Sequence, residues 1–174
     1  MIGKALLHDI ESLNMLINSA YRGETSKKGW TTEADLLDGL RTDTDDLQSL
    51  FTRSGCELLK YTNDAGKIIG CVRMEKQDEK LYLGMLTVDP VLQGKGIGKQ
   101  LVQAVERKAK AQKCNCVYMT VISDRTELIA WYERRGYNNT GRKKPFPAGN
   151  PHFGIPKKVL EFVVLEKKIC ADKK

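Results

Sequence analysis

Hydrophobic and polar residues alternate with two different periodicities along this chain. These periodicities predict helices and strands in mixed order. Apolar positions at helical spacing predict five helices, at 10–21, 33–40, 44–53, 99–112 and 125–135. Shorter apolar runs between turn residues predict six strands, at 2–7, 56–61, 67–75, 80–88, 116–122 and 159–165, with a short further strand near 137–141. This order favours an α/β domain of the α+β type, built on a mixed sheet.

Local signals mark several features of these elements. Asp9 is a candidate N-cap for the helix at 10–21. Gly84 lies inside the strand at 80–88 and indicates a bulge or a close backbone approach. The segment 142–158 holds four of the five prolines and is predicted to be a long ordered loop.

A glycine-rich turn between the strand at 80–88 and the helix at 99–112 is the most informative motif. It contains Gln93, Gly96 and Gly98 in the order Q-x-x-G-x-G. Glycines allow the backbone to approach an anion, and the free N–H groups at a helix N-terminus point at it. The spacing differs from that of a P-loop and from that of a dinucleotide-binding fingerprint. The turn therefore predicts a site for a phosphate-bearing ligand of another kind.

The composition is that of an ordinary globular domain, which we expect to span residues 1–174. Hydrophobic residues make up 41% of the chain and charged residues 29%. We expect no membrane span and no signal peptide, because the apolar runs are too short for either. Five cysteines without a C-x-x-C pair predict reduced thiols and a cytoplasmic location. The two histidines have no neighbouring ligand cluster, so no metal is expected.

The formal net charge of +7 favours an anionic ligand, and it also fits a basic nucleic-acid-binding module. The basic residues are mostly scattered and their clusters are short. We therefore expect most of them to be solvated, and we expect no nucleic-acid partner.

Two blocks of sequence resemble the GNAT superfamily of acyl-CoA-dependent N-acetyltransferases. The glycine turn, with the strand end at 86–90 before it, resembles the pyrophosphate-binding motif of that family. The segment 128–137 resembles the family's later helix and the turn after it. The resemblance covers nearly the whole chain in element order, and its specific part is residues 80–137. It implies a mixed, mostly antiparallel sheet whose central parallel strands splay apart, flanking helices, and acetyl-CoA as co-substrate.

The resemblance assigns the acetyl-CoA contacts to the strand end and the glycine turn. Backbone groups of Leu86 and Val88 would pair with the pantetheine arm, while their side chains pack in the core. Gln93 would order the turn through a side-chain hydrogen bond. The pyrophosphate would lie on the N–H groups of six consecutive residues, Gly94, Lys95, Gly96, Ile97, Gly98 and Lys99. The two lysine side chains either contact phosphate or are solvated.

Tyr132 matches the tyrosine that serves as general acid in many members of the family. Its alternative role is that of a core tyrosine packed on the sheet. Arg125 stands where many members have an asparagine, and it contacts coenzyme A phosphates, contacts the substrate or simply begins the helix. Tyr82 stands where some members have a glutamate base, and an amine of low pKa needs no strong base. Candidate replacements for that base are Glu24, Glu75 and Glu79.

Substrate specificity is expected from two regions: the proline-rich loop, and the helix-loop-helix between the first two strands, which carries Tyr21, Arg22, Glu24, Trp30 and Glu33. Glu24, Trp30 and Tyr82 are the candidate substrate contacts, with a carboxylate to hold a cationic amine and Trp30 to cover an apolar or cationic group. The loop adds Phe146, Asn150, His152 and Phe153. The alternative is a plain surface loop anchored by one tryptophan.

The leading hypothesis is an N-acetyltransferase that moves an acetyl group from acetyl-CoA to a primary amine by direct attack in a ternary complex. The acceptor is predicted to be a small molecule. The alternatives are an N-terminal or lysine amine of a protein as acceptor, and a non-catalytic acyl-CoA sensor. The resemblance also implies a homodimer as a frequent form, and no membrane partner is expected.

Overall fold

The computed structural model describes residues 1–147, 149 and 153–169, so Asn150 and His152 lie outside the described residues. Its helices are α1 (Ile10–Tyr21), α2 (Gly23–Ser26), α3 (Thr44–Thr52), α4 (Ile97–Ala111) and α5 (Thr126–Glu133). Its strands are β1 (Ile2–Lys4), β2 (Leu37–Asp38), β3 (Cys56–Thr62), β4 (Ile68–Gln77), β5 (Lys80–Val88), β6 (Cys116–Ile122), β7 (Asn138–Pro145), β8 (Ile155–Pro156) and β9 (Glu161–Lys168). Single turns of 3-10 helix precede α1 and the glycine turn.

Seven strands form one sheet in the order β1-β3-β4-β5-β6-β9-β7, and β2 pairs with β8 in a separate ribbon. Neighbouring strands are antiparallel except for β5 and β6, which are parallel. The predicted mixed, mostly antiparallel sheet with central parallel strands is confirmed.

The parallel strands β5 and β6 separate soon after they meet. They pair at only three positions in the described chain, at the start of each strand. A bulge follows in β5, because three residue steps from Gly84 to Thr87 face two steps of β4. Met85, inside the bulge, has a left-handed backbone with φ of 49°. The bulge indicated by Gly84 is confirmed, and beyond it the end of β5 has no strand partner on its β6 side among the residues that the structure describes.

Two apolar clusters cover the two faces of the sheet. On one face, Leu101, Val105 and Ala109 of α4 are buried against the strands. On the other face, α1 and α3 pack through residues such as Leu13 and Leu47. Burial of each such leucine contributes about 2 kcal/mol. The start of α4 is therefore held in a fixed position relative to the end of β5.

The predicted helix at 33–40 is wrong. Only one turn forms there, and Thr32 Oγ1 accepts a hydrogen bond from the Ala34 N–H at 3.1 Å. The chain then becomes extended as β2, and Gly39 follows with φ of 82°. Leu37 is buried in a small cluster with Phe146 and Phe153 nearby. Packing against a distant loop therefore overrides the local helical pattern.

Two smaller expectations also change. Asp9 stands at the N-cap position of α1 as predicted, but its side chain does not cap the helix, because its carboxylate accepts a hydrogen bond from the Leu6 N–H at 2.8 Å and pairs with Lys60 at 2.6 Å. The loop predicted at 142–158 begins and ends as strand, because β7 runs on to Pro145 beside β9 and β8 pairs with β2.

No helix in the described ranges is both long enough and apolar enough to cross a membrane. The same ranges contain no group of three or more His, Cys, Asp or Glu side chains placed to hold a metal ion. Four cysteines fall within them, Cys56, Cys71, Cys114 and Cys116, and all four are free thiols.

Candidate active site

The glycine turn forms one wall of a cavity of about 600 Å³, which we call the glycine-turn cavity. The splayed end of β5, the start of α4 and one side of α5 form the other walls. Eight of the nine predicted cofactor contacts line it: Leu86, Val88, Gln93, Gly94, Gly96, Ile97, Gly98 and Lys99. The ninth, Lys95, is exposed and is not among the lining residues.

The helix α4 begins at this cavity without a side-chain cap. Gly96 precedes the helix with φ of 83°, and no side-chain hydrogen bond caps it. Gly94 has φ of 84°, and apart from its chain neighbours a Cβ atom at either glycine would meet no atom of the described residues within 4 Å. The first N–H groups of the helix are therefore available to an anion, and the helix dipole adds roughly half a positive charge there.

Gln93 ties the glycine turn to the segment that follows α2. Its Oε1 accepts a hydrogen bond from the Trp30 N–H at 2.9 Å, and its Nε2 donates to Thr31 Oγ1 at 2.7 Å. Gly29 leaves room for this contact, because a Cβ atom there would lie 2.6 Å from Gln93 Oε1. Trp30 and Thr31 consequently line the glycine-turn cavity.

The α5 wall of this cavity adds an aromatic ring and cations that the sequence analysis did not identify. The Arg135 guanidinium carbon lies 3.4 Å from the centroid of the Trp131 ring, whose centroid is 6.3 Å from that of Trp30. Arg134 also lines the cavity. The spacing of three and four residues from Trp131 was the signal that could have found both arginines.

A second cavity, of about 550 Å³, opens between β5, β6, the end of α1 and the end of β7. Eight charged residues line it in the described chain, namely Arg22, Glu33, Arg41, Arg53, Arg73, Glu75, Arg125 and Lys144. We call it the arginine cavity. Six of these eight charged side chains are basic.

Tyr82, a candidate substrate contact, lines the arginine cavity. Its ring lies over Gly84, where a Cβ atom would come within 2.7 Å of Tyr82 Cε1. The Arg73 guanidinium lies 5.5 Å from the centroid of this ring, within the range of a cation–π contact. Gly84 therefore serves the packing of Tyr82 as well as the bulge.

The two cavities meet at a shared wall formed by Tyr21, Leu86, Arg125, Leu128 and Tyr132. Tyr132 is 4% exposed, and its hydroxyl has no hydrogen-bond partner among the described residues. Burial raises the pKa of Tyr132, so the hydroxyl keeps its proton at neutral pH. The Tyr21 hydroxyl instead donates to the Leu86 carbonyl at 2.8 Å, and burial raises the pKa of Tyr21 to about 12.

Glu33 is held between two arginines beside this wall. Arg22 donates to one carboxylate oxygen of Glu33, and Arg125 donates to the other at 2.8 Å. Arg22 and Glu33 are each 6% exposed. Arg125 also donates to the Thr31 carbonyl, and it is the N-cap residue of α5. Arg125 therefore begins the helix and anchors the segment that carries Glu33.

Glu75 is held in the same way on β4. Arg73 donates to Glu75 Oε2, and Arg53 approaches that oxygen to 3.6 Å. The two other candidate bases lie elsewhere. Glu24 is exposed and pairs with Lys27 at 2.6 Å, while Glu79 accepts a hydrogen bond from Asn115 at 3.0 Å, and neither belongs to the described lining of these two cavities.

Comparison with protein-family models matches residues 14–137 to the acetyltransferase (GNAT) family. This range covers most of the chain and contains the glycine turn and Tyr132. The chain belongs to the GNAT acetyltransferase family. The resemblance carried by the glycine turn and by the segment 128–137 is thus confirmed for this GNAT chain.

Relatives of this GNAT chain act on different amines, as their names state. N-alpha-acetyltransferase 30 of Dictyostelium discoideum is 32% identical over 88 residues, which are 48% of this chain and 46% of the relative. Spermine/spermidine N(1)-acetyltransferase of Bacillus subtilis is 26% identical over 68 residues, which are 38% of this chain and 45% of the relative. The chain thus spans about half the length of the curated relatives it matches.

A solved structure confirms the fold of this GNAT chain. The crystal structure of the ribosomal-protein-S18-alanine N-acetyltransferase from Escherichia coli superposes with a TM-score of 0.73 at 13% identity. The superposition covers 100% of this chain and 96% of that one. At this identity the likeness shows the shared fold alone.

Proposed function

We propose that this GNAT chain transfers the acetyl group of acetyl-CoA to the primary amine of a small molecule. The observation that carries the proposal is the meeting of the glycine-turn cavity and the arginine cavity at Leu86 and Tyr132. A donor bound in one cavity and an amine bound in the other come together at that wall. The amine then attacks the donor directly, without an acyl-enzyme.

The glycine-turn cavity suits acetyl-CoA, which supplies a thioester as the activated acyl group. The uncapped N–H groups of α4 match a pyrophosphate, and Lys99 adds positive charge. Beyond the bulge, the backbone of Leu86 and Val88 has no strand beside it on the β6 side in the described chain. This edge can pair with an extended amide-bearing arm as an added strand would, and its Leu86 carbonyl also accepts the Tyr21 hydroxyl.

Tyr132 is the residue we assign to proton delivery. Its hydroxyl is protonated at neutral pH and has no hydrogen-bond partner among the described residues. In the transfer, the amine nitrogen forms a bond to the thioester carbon, and the bond from that carbon to sulfur breaks. Tyr132 Oη gives its proton to the departing sulfur, and the attacking nitrogen releases a proton to solvent.

Thermal unfolding with and without acetyl-CoA is the first test. A ligand that binds only the folded chain raises the midpoint, and at about a hundred times its Kd it stabilises by about 3 kcal/mol. Release of coenzyme A with a panel of small amines and peptide N-termini follows. No shift at millimolar acetyl-CoA would contradict the proposal, and a shift without acetyl transfer to any amine would indicate a sensor.

A further inference from the structure

The arginine cavity points to a class of acceptor. We propose that the acceptor amine carries a carboxylate or another acid group, and that this cavity binds the acid. The inference rests on the proposed acetyl transfer and narrows its substrate. Among the described residues of the lining, six are positive and two are negative, which gives a net charge of +4.

Neither carboxylate of the lining is free to bind a cationic amine. Glu33 already accepts hydrogen bonds from Arg22 and Arg125, one on each oxygen. Glu75 is paired with Arg73 and lies 3.6 Å from Arg53. Each group of one glutamate and two arginines carries a net positive charge. A polyamine or a strongly basic peptide in this cavity would face like charge, with no unpaired carboxylate among the described lining residues.

Arg41 is the partly buried cation of this lining that lacks a carboxylate partner among the described residues. It forms no ion pair with any residue in the part of the chain that the structure describes. Its guanidinium carbon lies 5.5 Å from the centroid of the Tyr21 ring and 5.9 Å from that of Phe153. Stacking on aromatic rings fixes the guanidinium plane while leaving its N–H edge for a ligand, and this edge matches a carboxylate or phosphonate in a bidentate way.

The position of Arg41 connects the acid site to the reacting groups. Its aromatic neighbour Tyr21 belongs to the wall that the two cavities share, together with Leu86 and Tyr132. An acid group held at Arg41 therefore directs the remainder of a small molecule toward that wall. The phosphates of acetyl-CoA do not account for Arg41, because the uncapped start of α4 and Lys99 line the other cavity.

The same positive charge acts on the amine itself. Nearby cations disfavour the ammonium form, so they lower the pKa of a bound amine and raise the fraction that is neutral. Only the neutral form can attack a thioester. The positive charge of the lining thus favours the neutral amine, which a free carboxylate base would otherwise produce by taking its proton. The described lining contains no free carboxylate.

The test measures coenzyme A release with matched amines at saturating acetyl-CoA. The panel contains L-amino acids, their carboxamides, the amines that lack the carboxyl group, aminoalkyl phosphonates and spermidine. We expect kcat/KM for the best acid-bearing amine to exceed that of its carboxamide by at least about tenfold, because charge-assisted bidentate contacts are lost in the amide. Spermidine should be a poor acceptor.

Three variants test whether Arg41 is the origin of the preference for acid-bearing amines. Arg41→Gln should lower the preference for acid over carboxamide toward unity, while Arg41→Lys should retain part of it because the charge is kept. Arg107→Gln is the matched control, since Arg107 is exposed on α4 and lines neither cavity. The thermal shift with acetyl-CoA should be the same in all three, which shows that each variant folds and binds the donor.

The outcomes separate this inference from the proposed function. If carboxamides or spermidine are acetylated as well as the acid-bearing amines, the inference is wrong and the acetyl transfer stands. If Arg41→Gln keeps the full preference for acid, the acid is not held where we place it. If acetyl-CoA neither shifts the unfolding midpoint nor is consumed, the proposed function fails, and this inference fails with it.

Discussion

The glycine-turn cavity and the arginine cavity adjoin each other but are built from different chemical groups. The first offers main-chain N–H groups, two left-handed glycines and the unpaired edge of β5. The second offers guanidinium groups, two carboxylates that are already paired, and aromatic rings. Main-chain groups suit the proposed donor, acetyl-CoA, which is the same for every acceptor. Side chains suit the proposed acceptor, which has to be distinguished from other amines.

The largest expected effect comes from removing the hydroxyl of Tyr132, which lies at the wall that the two cavities share. Tyr132→Phe should lower kcat by about 10²- to 10⁴-fold, the usual range for loss of a general acid. The acetyl-CoA thermal shift should be kept, because the ring still fills its place. Rates of coenzyme A release at saturating substrates measure the first effect.

Tyr137→Phe is the control for Tyr132→Phe. It removes a buried hydroxyl that bonds Glu106 at 3.1 Å, from a ring that lines neither cavity. It should cost about 1 kcal/mol of stability and leave kcat unchanged. Equal kcat in Tyr132→Phe and the unchanged protein would show that the departing sulfur needs no proton from Tyr132.

A charge placed in the glycine turn should affect the donor side alone. Gly96→Asp should weaken acetyl-CoA binding by about tenfold or more, because a carboxylate at the start of α4 competes with the phosphates for the N–H groups. Calorimetric titration with acetyl-CoA measures the loss.

Gly141→Asp carries a similar backbone strain and the same charge, since Gly141 has φ of 74° and open space around a Cβ atom. It lies on β7, away from both cavities. If the two variants bind acetyl-CoA equally, the start of α4 does not hold the phosphates.

The smallest expected effect concerns Tyr21, which is part of the shared wall. Burial raises its pKa to about 12, above the 10 of an unfolded tyrosine. The resulting stability is present below pH 10 and is lost as the pH rises toward 12, because the unfolded chain loses the proton first. In Tyr21→Phe, the free energy of unfolding should therefore decrease less steeply as the pH rises from 10 to 12.

Urea unfolding at pH 8 and at several values from 10 upward measures the effect of Tyr21→Phe. At pH 8 the lost hydrogen bond to the Leu86 carbonyl should cost about 1 kcal/mol. The same pH slope in the variant and the unchanged protein would show that water reaches the Tyr21 hydroxyl from one of the cavities.

The features that the sequence predicted well are local ones. The glycine turn, the bulge at Gly84 and the helix that carries Tyr132 each depend on residues close together in the chain. A turn needs glycine where φ is positive, and a helix needs apolar residues at fixed spacing. The sheet arrangement followed because the order of these elements, together with the family resemblance, permits few topologies.

The sequence predicted part of the lining of the arginine cavity, including Arg22, Glu33 and Tyr82, but not how its charges pair, because those contacts join distant parts of the chain. Glu33 and Arg125 lie 92 residues apart, and Arg22 reaches the Phe153 carbonyl at 3.1 Å across 131 residues. The spacing of apolar and polar residues along the sequence gives no information about such long-range pairs. The same reason explains the wrong helix at 33–40, where packing against a later loop decides the backbone.

The bulge in β5 has a consequence for how this chain can change over generations. Its main-chain groups beside the proposed donor site are present whatever side chains accompany them, except at positions such as Gly84, where a Cβ atom would meet Tyr82. The arginines that line the arginine cavity act through their side chains. A single substitution can therefore replace any one of them without altering the backbone of β5. With the proposed site roles, mutation can alter the choice of acceptor by small steps while the proposed acetyl donation persists, and closely related chains should diverge first around Arg41 and last around Gly96.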